Sequence, residues 1–181
     1  QGMRTTTLAY NTYDLLSSVT NDLNQTTSYT YDSAGRLDKV ILPDLREIDY
    51  DYDSVGRLTS VTPEGRTAHQ FNYNTSEKLS EYAPPLLTGV PNTTTDYSYN
   101  DDNQLTVITR PDGTTITYNY GSTTGLLNSV VTSSTTKSYS YFSSSDLVQS
   151  IDITGGPKHY IYYAGDEPYW HHLYNSSWSL I

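Results

Sequence analysis

Hydrophobic and polar residues alternate over short stretches of this chain, then give way to a few turn-forming residues, and the cycle starts again. In Thr67, His69, Phe71, Tyr73 and again in Thr114, Ile116, Tyr118, Tyr120, larger side chains fall at every second position, with small or polar residues such as Gln70, Asn72, Thr117 and Asn119 between them. A period of two puts one set of side chains on one face of a strand, whereas helical neighbours stand three and four apart. The pattern predicts half-buried β-strands. No segment carries helical periodicity.

The alternation is locked to a longer period. The second aromatic of each Tyr-x-Tyr pair falls at Tyr10, Tyr31, Tyr52, Tyr73, Tyr99, Tyr120, Tyr141 and Tyr162. Six of the seven intervals are 21 residues, and the seventh, from Tyr73 to Tyr99, is 26. The partners two residues earlier are Leu8, Tyr29, Tyr50, Phe71, Tyr97, Tyr118, Tyr139 and Tyr160. The longer interval holds 83–92, rich in proline, where an enlarged loop is expected. Such self-similarity marks a repeat architecture.

Turn residues follow each pair. In Tyr31-Asp32-Ser33-Ala34-Gly35-Arg36-Leu37 and Tyr52-Asp53-Ser54-Val55-Gly56-Arg57-Leu58, aspartate can accept from backbone N–H groups ahead of it and glycine supplies a positive φ. Leucine comes six residues after the tyrosine at Leu16, Leu37, Leu58, Leu79, Leu105, Leu126 and Leu147. A β-branched residue comes three later at Val19, Val40, Val61 and Ile108. In the last two full repeats the better matches are Leu127 with Val130 and Val148 with Ile151, a slip of one residue. A second turn is clearest at Pro63-Glu64-Gly65 and Pro111-Asp112-Gly113. Each repeat is therefore two short antiparallel strands and two turns. The expected fold is all-β: tandem antiparallel hairpins in one long, curved, twisted sheet of about 15 strands.

Composition modifies this picture in three ways. Only 35% of the residues are hydrophobic, yet there are 19 tyrosines. A core would then be aromatic and half polar, because a tyrosine ring buries area while its hydroxyl seeks a partner. The net charge of −10 argues against nucleic acid and against anionic membrane surfaces. The absence of cysteine removes disulfides and thiolate chemistry. Gln1-Gly2 reads as the scar of a cleaved tag, with Met3 as the native start. Domain organisation is expected as an array over 3–164, followed by a cap segment over 165–181 that holds both tryptophans.

The repeat unit resembles the YD repeats of the Rhs proteins, whose signature is Tyr-Asp-x-x-Gly-Arg-Leu. The residues that carry the resemblance are Tyr29, Tyr31, Asp32, Gly35, Arg36 and Leu37, then Tyr50, Tyr52, Asp53, Gly56, Arg57 and Leu58. The match is strong over about residues 28–66, degenerate but in phase over 8–164, and absent beyond. The resemblance implies a hollow β-shell, used in bacterial polymorphic toxins and insecticidal toxin complexes to enclose a toxic C-terminal domain, and in teneurins for adhesion. It implies a bacterial, extracellular or cell-surface scaffold with no cofactor. A chain of 181 residues makes only a partial shell, with no self-cleaving core segment and no toxin domain, and so reads as a fragment, a truncated remnant or a small stand-alone array.

The candidate chemistry is modest. The tyrosine face could bind glycan or protein, although its regular placement also fits a core or inner wall. Asp32, Asp53, Asn74 and Asn100 could ligate calcium, but exchange of Asp for Asn favours turn capping. Arg36 and Arg57 could pair with acidic side chains of the next repeat or stand as solvated charges. His171 and His172, near Asp166 and Glu167, would point to opposite faces of a strand and chelate poorly together. No nucleophile elbow and no distinctive carboxylate pair stands out, so an enzyme ranks last. Partners expected are a second copy through a free strand edge, a larger Rhs polypeptide, or a glycan.

Overall fold

The structure is a computed structural model that describes residues 5–86, 89, 94–143, 145–164 and 167–174. Gln1-Gly2 and Met3, most of the expected loop insertion, and 165–166 and 175–181 of the expected cap lie outside the described residues. Two compact units divide the chain, Gln1–Thr94 and Thr95–Ile181. The first holds β1 (Thr7–Tyr10), β2 (Leu16–Thr20), β3 (Thr26–Tyr31), β4 (Leu37–Ile41), β5 (Glu47–Tyr52), β6 (Leu58–Pro63), β7 (His69–Tyr73) and β8 (Leu79–Ala83). The second holds β9 (Thr95–Tyr99), β10 (Leu105–Thr109), β11 (Thr115–Tyr120), β12 (Leu127–Val131), β13 (Thr136–Tyr141), β14 (Val148–Ile153), β15 (Lys158–Ala164) and β16 (Glu167–Tyr174). Within each unit every strand lies between its sequence neighbours and pairs antiparallel with them. No helix forms among the described residues. The all-β array of tandem hairpins that the repeat predicts is the fold observed.

Two kinds of junction alternate. Within a repeat the hairpin carries four or five rungs, as in Ser28↔Ile41, Tyr29↔Val40, Thr30↔Lys39 and Tyr31↔Leu37, and seven in β15–β16. Between repeats the ladder is shorter, running from Ser18↔Ser28 to Thr20↔Thr26 and no further, and only Ser60↔Gln70 and Val61↔His69 join β6 to β7. Each of the first seven hairpins also has a bulge beside its tyrosine, leaving one extra residue: Ser17, Asp38, Thr59, Ser80, Thr106, Asn128 and Gln149 in turn. All seven are polar. A bulge bends its strand and raises the local twist, so every repeat carries one built-in bend. It also lets the leucine and the β-branched residue three positions on, such as Leu37 and Val40, lie opposite Tyr31 and Tyr29 on one face. The slipped pairs sit as the sequence suggested, with Tyr120 opposite Leu127 and Tyr141 opposite Val148.

The last bulge departs from the counted phase. It falls between Tyr162 and Tyr163, with Ser150 opposite Tyr160 and Ile151 opposite His159. Tyr163 therefore holds the register position that Tyr141 holds, one residue beyond Tyr162. The extra residue enters before β14, where Tyr141 pairs seven residues on and Tyr31 only six. The short turn from Val131 to Thr136 takes back the like residue one repeat earlier, and the turn from Asp152 to Lys158 does not.

Within each unit the sheet is one layer with two unlike faces. One carries the aromatic pairs with Leu37, Val40, Ile48, Leu58 and Val61. The other is polar, with Ser60 donating to Asp51 at 2.6 Å, Asn72 to Glu81 at 2.8 Å, and Ser140 against Ser150 at 2.8 Å. Lys39 bridges β4 and β5 there, contacting Glu47 and, at 3.2 Å, Asp49. Val40, 8% exposed, is the one buried hydrophobic residue among the described residues, and no large side chain is fully enclosed. Stability must accumulate junction by junction, as in other repeat proteins.

On the opposite edge the turns 21–25, 42–46 and 110–114 share one conformation, a tight turn closed by a residue with positive φ. Asn24 (φ 58°) and Gly113 (φ 78°) suit it, but Leu45 adopts φ 68° with 78% of its surface exposed. A left-handed conformation costs an ordinary residue about 1–2 kcal/mol, which asparagine tolerates better. Leu45→Asn, which copies Asn24 one repeat earlier, should therefore raise stability by about 1 kcal/mol. A urea midpoint that stays put or falls would show that Leu45 is held by contacts worth more than its strain.

Candidate functional site

The aromatic pair, the turn and the leucine converge on the edge where the between-repeat ladder stops short. Leu16 lies beyond its last rung, so its carbonyl has no backbone partner in β3. The Tyr31 hydroxyl donates to that carbonyl at 2.8 Å. The same bond recurs from Tyr52 to Leu37 at 3.0 Å, Tyr73 to Leu58 at 2.8 Å, Tyr120 to Leu105 at 2.8 Å and Tyr141 to Leu127 at 2.8 Å. Each hydroxyl thus reaches back 14 or 15 residues and ties one hairpin to the one before it. Partly buried backbone acceptors need such partners. Burial pushes the phenols of Tyr52, Tyr99, Tyr120 and Tyr141 above their ordinary range.

Turn capping accounts for the aspartates and asparagines. Asp32 Oδ1 accepts from the Ala34 and Arg36 amides at 2.8 and 2.9 Å, and Asp53 does the same with Val55 and Arg57 at 3.0 and 2.9 Å. Asn11 and Asn74 accept from amides two and four residues on with the same geometry, and Asn100 accepts from the Gln104 amide at 2.9 Å. These oxygens are committed to the backbone and are not arranged around a cation; among the described residues no group of three metal-ligating side chains gathers. Gly35 and Gly56 close the turns at φ 78° and 93°.

The arginines neither pair with acids of the next repeat nor stand as free solvated charges, the two readings open from sequence. Arg36 Nε donates to Asp32 at 2.7 Å and Arg57 Nε to Asp53 at 2.7 Å, each within its own turn. What crosses to the next repeat is the guanidinium itself. Arg36 Cζ lies 4.6 Å from the centre of the Tyr52 ring, and Arg57 Cζ 4.7 Å from that of Tyr73. Arg36 Nη1 also donates to the Asp53 carbonyl at 3.3 Å. At the corresponding place in the second unit Gln104 Nε2 donates to the Gly125 carbonyl at 2.8 Å. Tyr-Asp-x-x-Gly-Arg-Leu is therefore one connected device: carboxylate caps turn, arginine grips carboxylate and covers the next tyrosine, and that tyrosine caps the leucine carbonyl. The Arg36 amide and guanidinium hold the Asp32 carboxyl below its usual range. At Asp53 partial desolvation pushes upward, and the Arg57 amide and guanidinium outweigh it.

Sequence reasoning named these residues but missed three of their partners: the leucine carbonyls, the polar bulge residues and the cation–π contact. The bulges had a signal, since leucine and valine three apart cannot share a face of a regular strand. His171 and His172 fall at consecutive positions of β16, opposite Ile161 and Tyr160.

In sequence the chain matches the profile described as Teneurin YD-shell over residues 1–165. No curated protein matches it in sequence. Its fold is similar to the crystal structure of TcdB2-TccC3-TEV, with a TM-score of 0.61 and 13% identity over 97% of this chain and 11% of that one. It is also similar to TcdB2-TccC3-Cdc42 (TM-score 0.55, 15% identity, 92% of this chain and 11% of that). A third likeness is to the Photorhabdus luminescens Tc holotoxin pore carrying a TccC3 mutation (TM-score 0.54, 14% identity, 93% and 11%). The chain spans about a ninth of the length of these solved chains.

Tyr52→Phe removes one hydroxyl and keeps the ring under Arg36. It should cost about 1 kcal/mol in chemical unfolding, and no loss would show that water replaces the bond freely. The raised phenols give a sign to the alkaline limb. Their folded pKa values exceed the ordinary value near 10, so stability holds below about pH 10 and falls as pH rises through the folded values. Tyrosinate absorbance should then rise together with unfolding; ionisation completed before unfolding would contradict this. On the acid side Asp32 and Asp53 are lowered, so their contribution is present above about pH 4 and is lost as pH falls through the folded values. Asp32→Asn, which copies Asn74, should keep the turn and flatten that acid limb in thermal melts. An unchanged acid limb would show that Asp32 contributes nothing to it.

Proposed function

The chain belongs to the teneurin YD-shell family, and on that premise we propose that it serves as a non-enzymatic wall segment of an Rhs-type β-shell, enclosing or presenting a partner polypeptide. The observation that carries this is the repeated carbonyl-to-tyrosine tie. It joins successive hairpins without a second layer, which suits a wall that is extended unit by unit. The half-exposed aromatic face supports contact with an enclosed or adjoining chain, because apolar area left open gains from being covered. The similar solved chains are about nine times longer, which supports a larger Rhs-type polypeptide as the partner within which this array works. A bacterial, exported setting follows from the same reading.

The polar functional groups favour structure over chemistry. The carboxylates of Asp32 and Asp53 and the Tyr31 and Tyr52 hydroxyls are occupied in holding turns and junctions. The shell reading is tested by transplanting the array into the equivalent stretch of the TcdB2-TccC3 chain. The expected outcome is a closed shell by electron microscopy, with protease resistance retained. An open or aggregated particle, while the array itself remains folded by circular dichroism, would sink the reading.

A further inference from the structure

The first junction of the array departs from the two after it. Counting from the turn cap, the residue four on is Leu15 after Asn11, Arg36 after Asp32 and Arg57 after Asp53. At the second and third junctions that residue puts a guanidinium over the next tyrosine ring, 4.6 Å from Tyr52 and 4.7 Å from Tyr73. Leu15 runs the same way, its Cδ1 coming to 3.9 Å of where a Cβ on Gly35 would stand, as Arg36 Nη1 comes to 3.5 Å at Gly56. Leucine ends there and carries no donor. Beside Tyr31 a cleft of about 660 Å³ remains, lined by Tyr13, Tyr29, Tyr31, Asn11 and the Asp32 turn among others, with no cationic side chain in its lining. Tyr13 stands at its mouth with 82% of its surface exposed.

From this we infer that the cleft is a binding subsite for an arginine side chain presented by another polypeptide. The array itself supplies the template. A guanidinium entering as Arg36 does at the next junction would stack on the Tyr31 ring and donate to the Asp32 carbonyl, the equivalent of the Asp53 carbonyl that Arg36 reaches. The Tyr13 ring supplies a second aromatic wall, and cations bind well against such faces when water is displaced. A net charge of −10 draws a cation in and disfavours an anion. A free amino acid would bring a carboxylate, and the lining offers no cation to hold it, so a peptide-borne side chain is the better fit. Guanidinium is preferred to an ammonium because its plane stacks and its several N–H groups diverge.

The test uses the chain as it stands and the peptide acetyl-Gly-Arg-Gly-amide, followed by NMR shifts of the Tyr13 and Tyr31 ring signals. Saturable shifts are expected, weakened about fivefold or more when citrulline replaces arginine, since citrulline keeps the shape and loses the charge. Leu15→Arg should fill the cleft from within and abolish binding; an arginine occupies that place in the next two repeats, so the variant should fold. Tyr13→Ala, at an exposed position, should weaken binding without altering stability. Free arginine should bind more weakly than the peptide. The inference is overturned if no saturable shift occurs, if the citrulline peptide binds equally, or if binding survives Leu15→Arg.

Discussion

A backbone carbonyl that the ladder cannot reach is the constraint on which this structure turns. The bulge at each hairpin bends the strand away, so the between-repeat ladder ends with Leu16, Leu37 and Leu58 past the last rung. Left partly buried and unpaired, each carbonyl would cost about as much as a lost hydrogen bond. A tyrosine hydroxyl placed one strand on answers it, and only tyrosine combines a ring large enough to floor the junction with a donor at its far end. The bend and the bond are thus two halves of one solution. Without the bulge the carbonyl would find a strand partner, and without the tyrosine the bend would be too costly to repeat.

The rest of the motif follows from holding that tyrosine. Its ring needs cover on the exposed edge, and Arg36 and Arg57 supply it from the preceding turn. The arginine must be aimed, and the carboxylate of Asp32 or Asp53 aims it from four residues away while also closing the turn. Each pair is roughly a quarter to a third exposed, so as an ion pair it contributes little. Its value is positional. Where the turn cap is asparagine, the turn persists and the following residue becomes Leu15, Lys78 or Gln104. Gln104 reaches the next turn by a hydrogen bond without a charge, whereas Leu15 has no donor to do so.

The sheet was legible because its signal is redundant. Alternation, spacing and turn residues each point to hairpins, and the 21-residue phase placed Tyr31, Tyr52, Tyr73, Tyr120 and Tyr141 correctly at their bulges. It failed at Tyr162 because a Tyr-x-Tyr reading cannot tell Tyr160 and Tyr162 from Ile161 and Tyr163 when the turn before β14 is one residue longer and the turn after it does not take that residue back. Three tyrosines in four positions fit either phase, and only the pairing of Ser150 with Tyr160 decides between them. The arginine contacts were misjudged for a different reason. Opposite charges one repeat apart are an obvious pairing in sequence, whereas a cation over a ring depends on the relative height of two turns, which follows from the bulge.

A wall built this way has consequences for what it can do. Among the described residues Val40, 8% exposed, is the one buried hydrophobic side chain, so the aromatic face is left half open to water. The shifted groups are the junction tyrosines, raised by burial, and the turn carboxylates, lowered by the amides and arginines of their own turns. What the described residues present is an aromatic face and an edge of turns. Variation at the edge costs the fold little, because the cap and the tyrosine tie persist whatever residue bridges between them. Residues such as Leu15 and Tyr13 are therefore free to differ from the repeat, and it is in such departures that a repetitive wall acquires local identity.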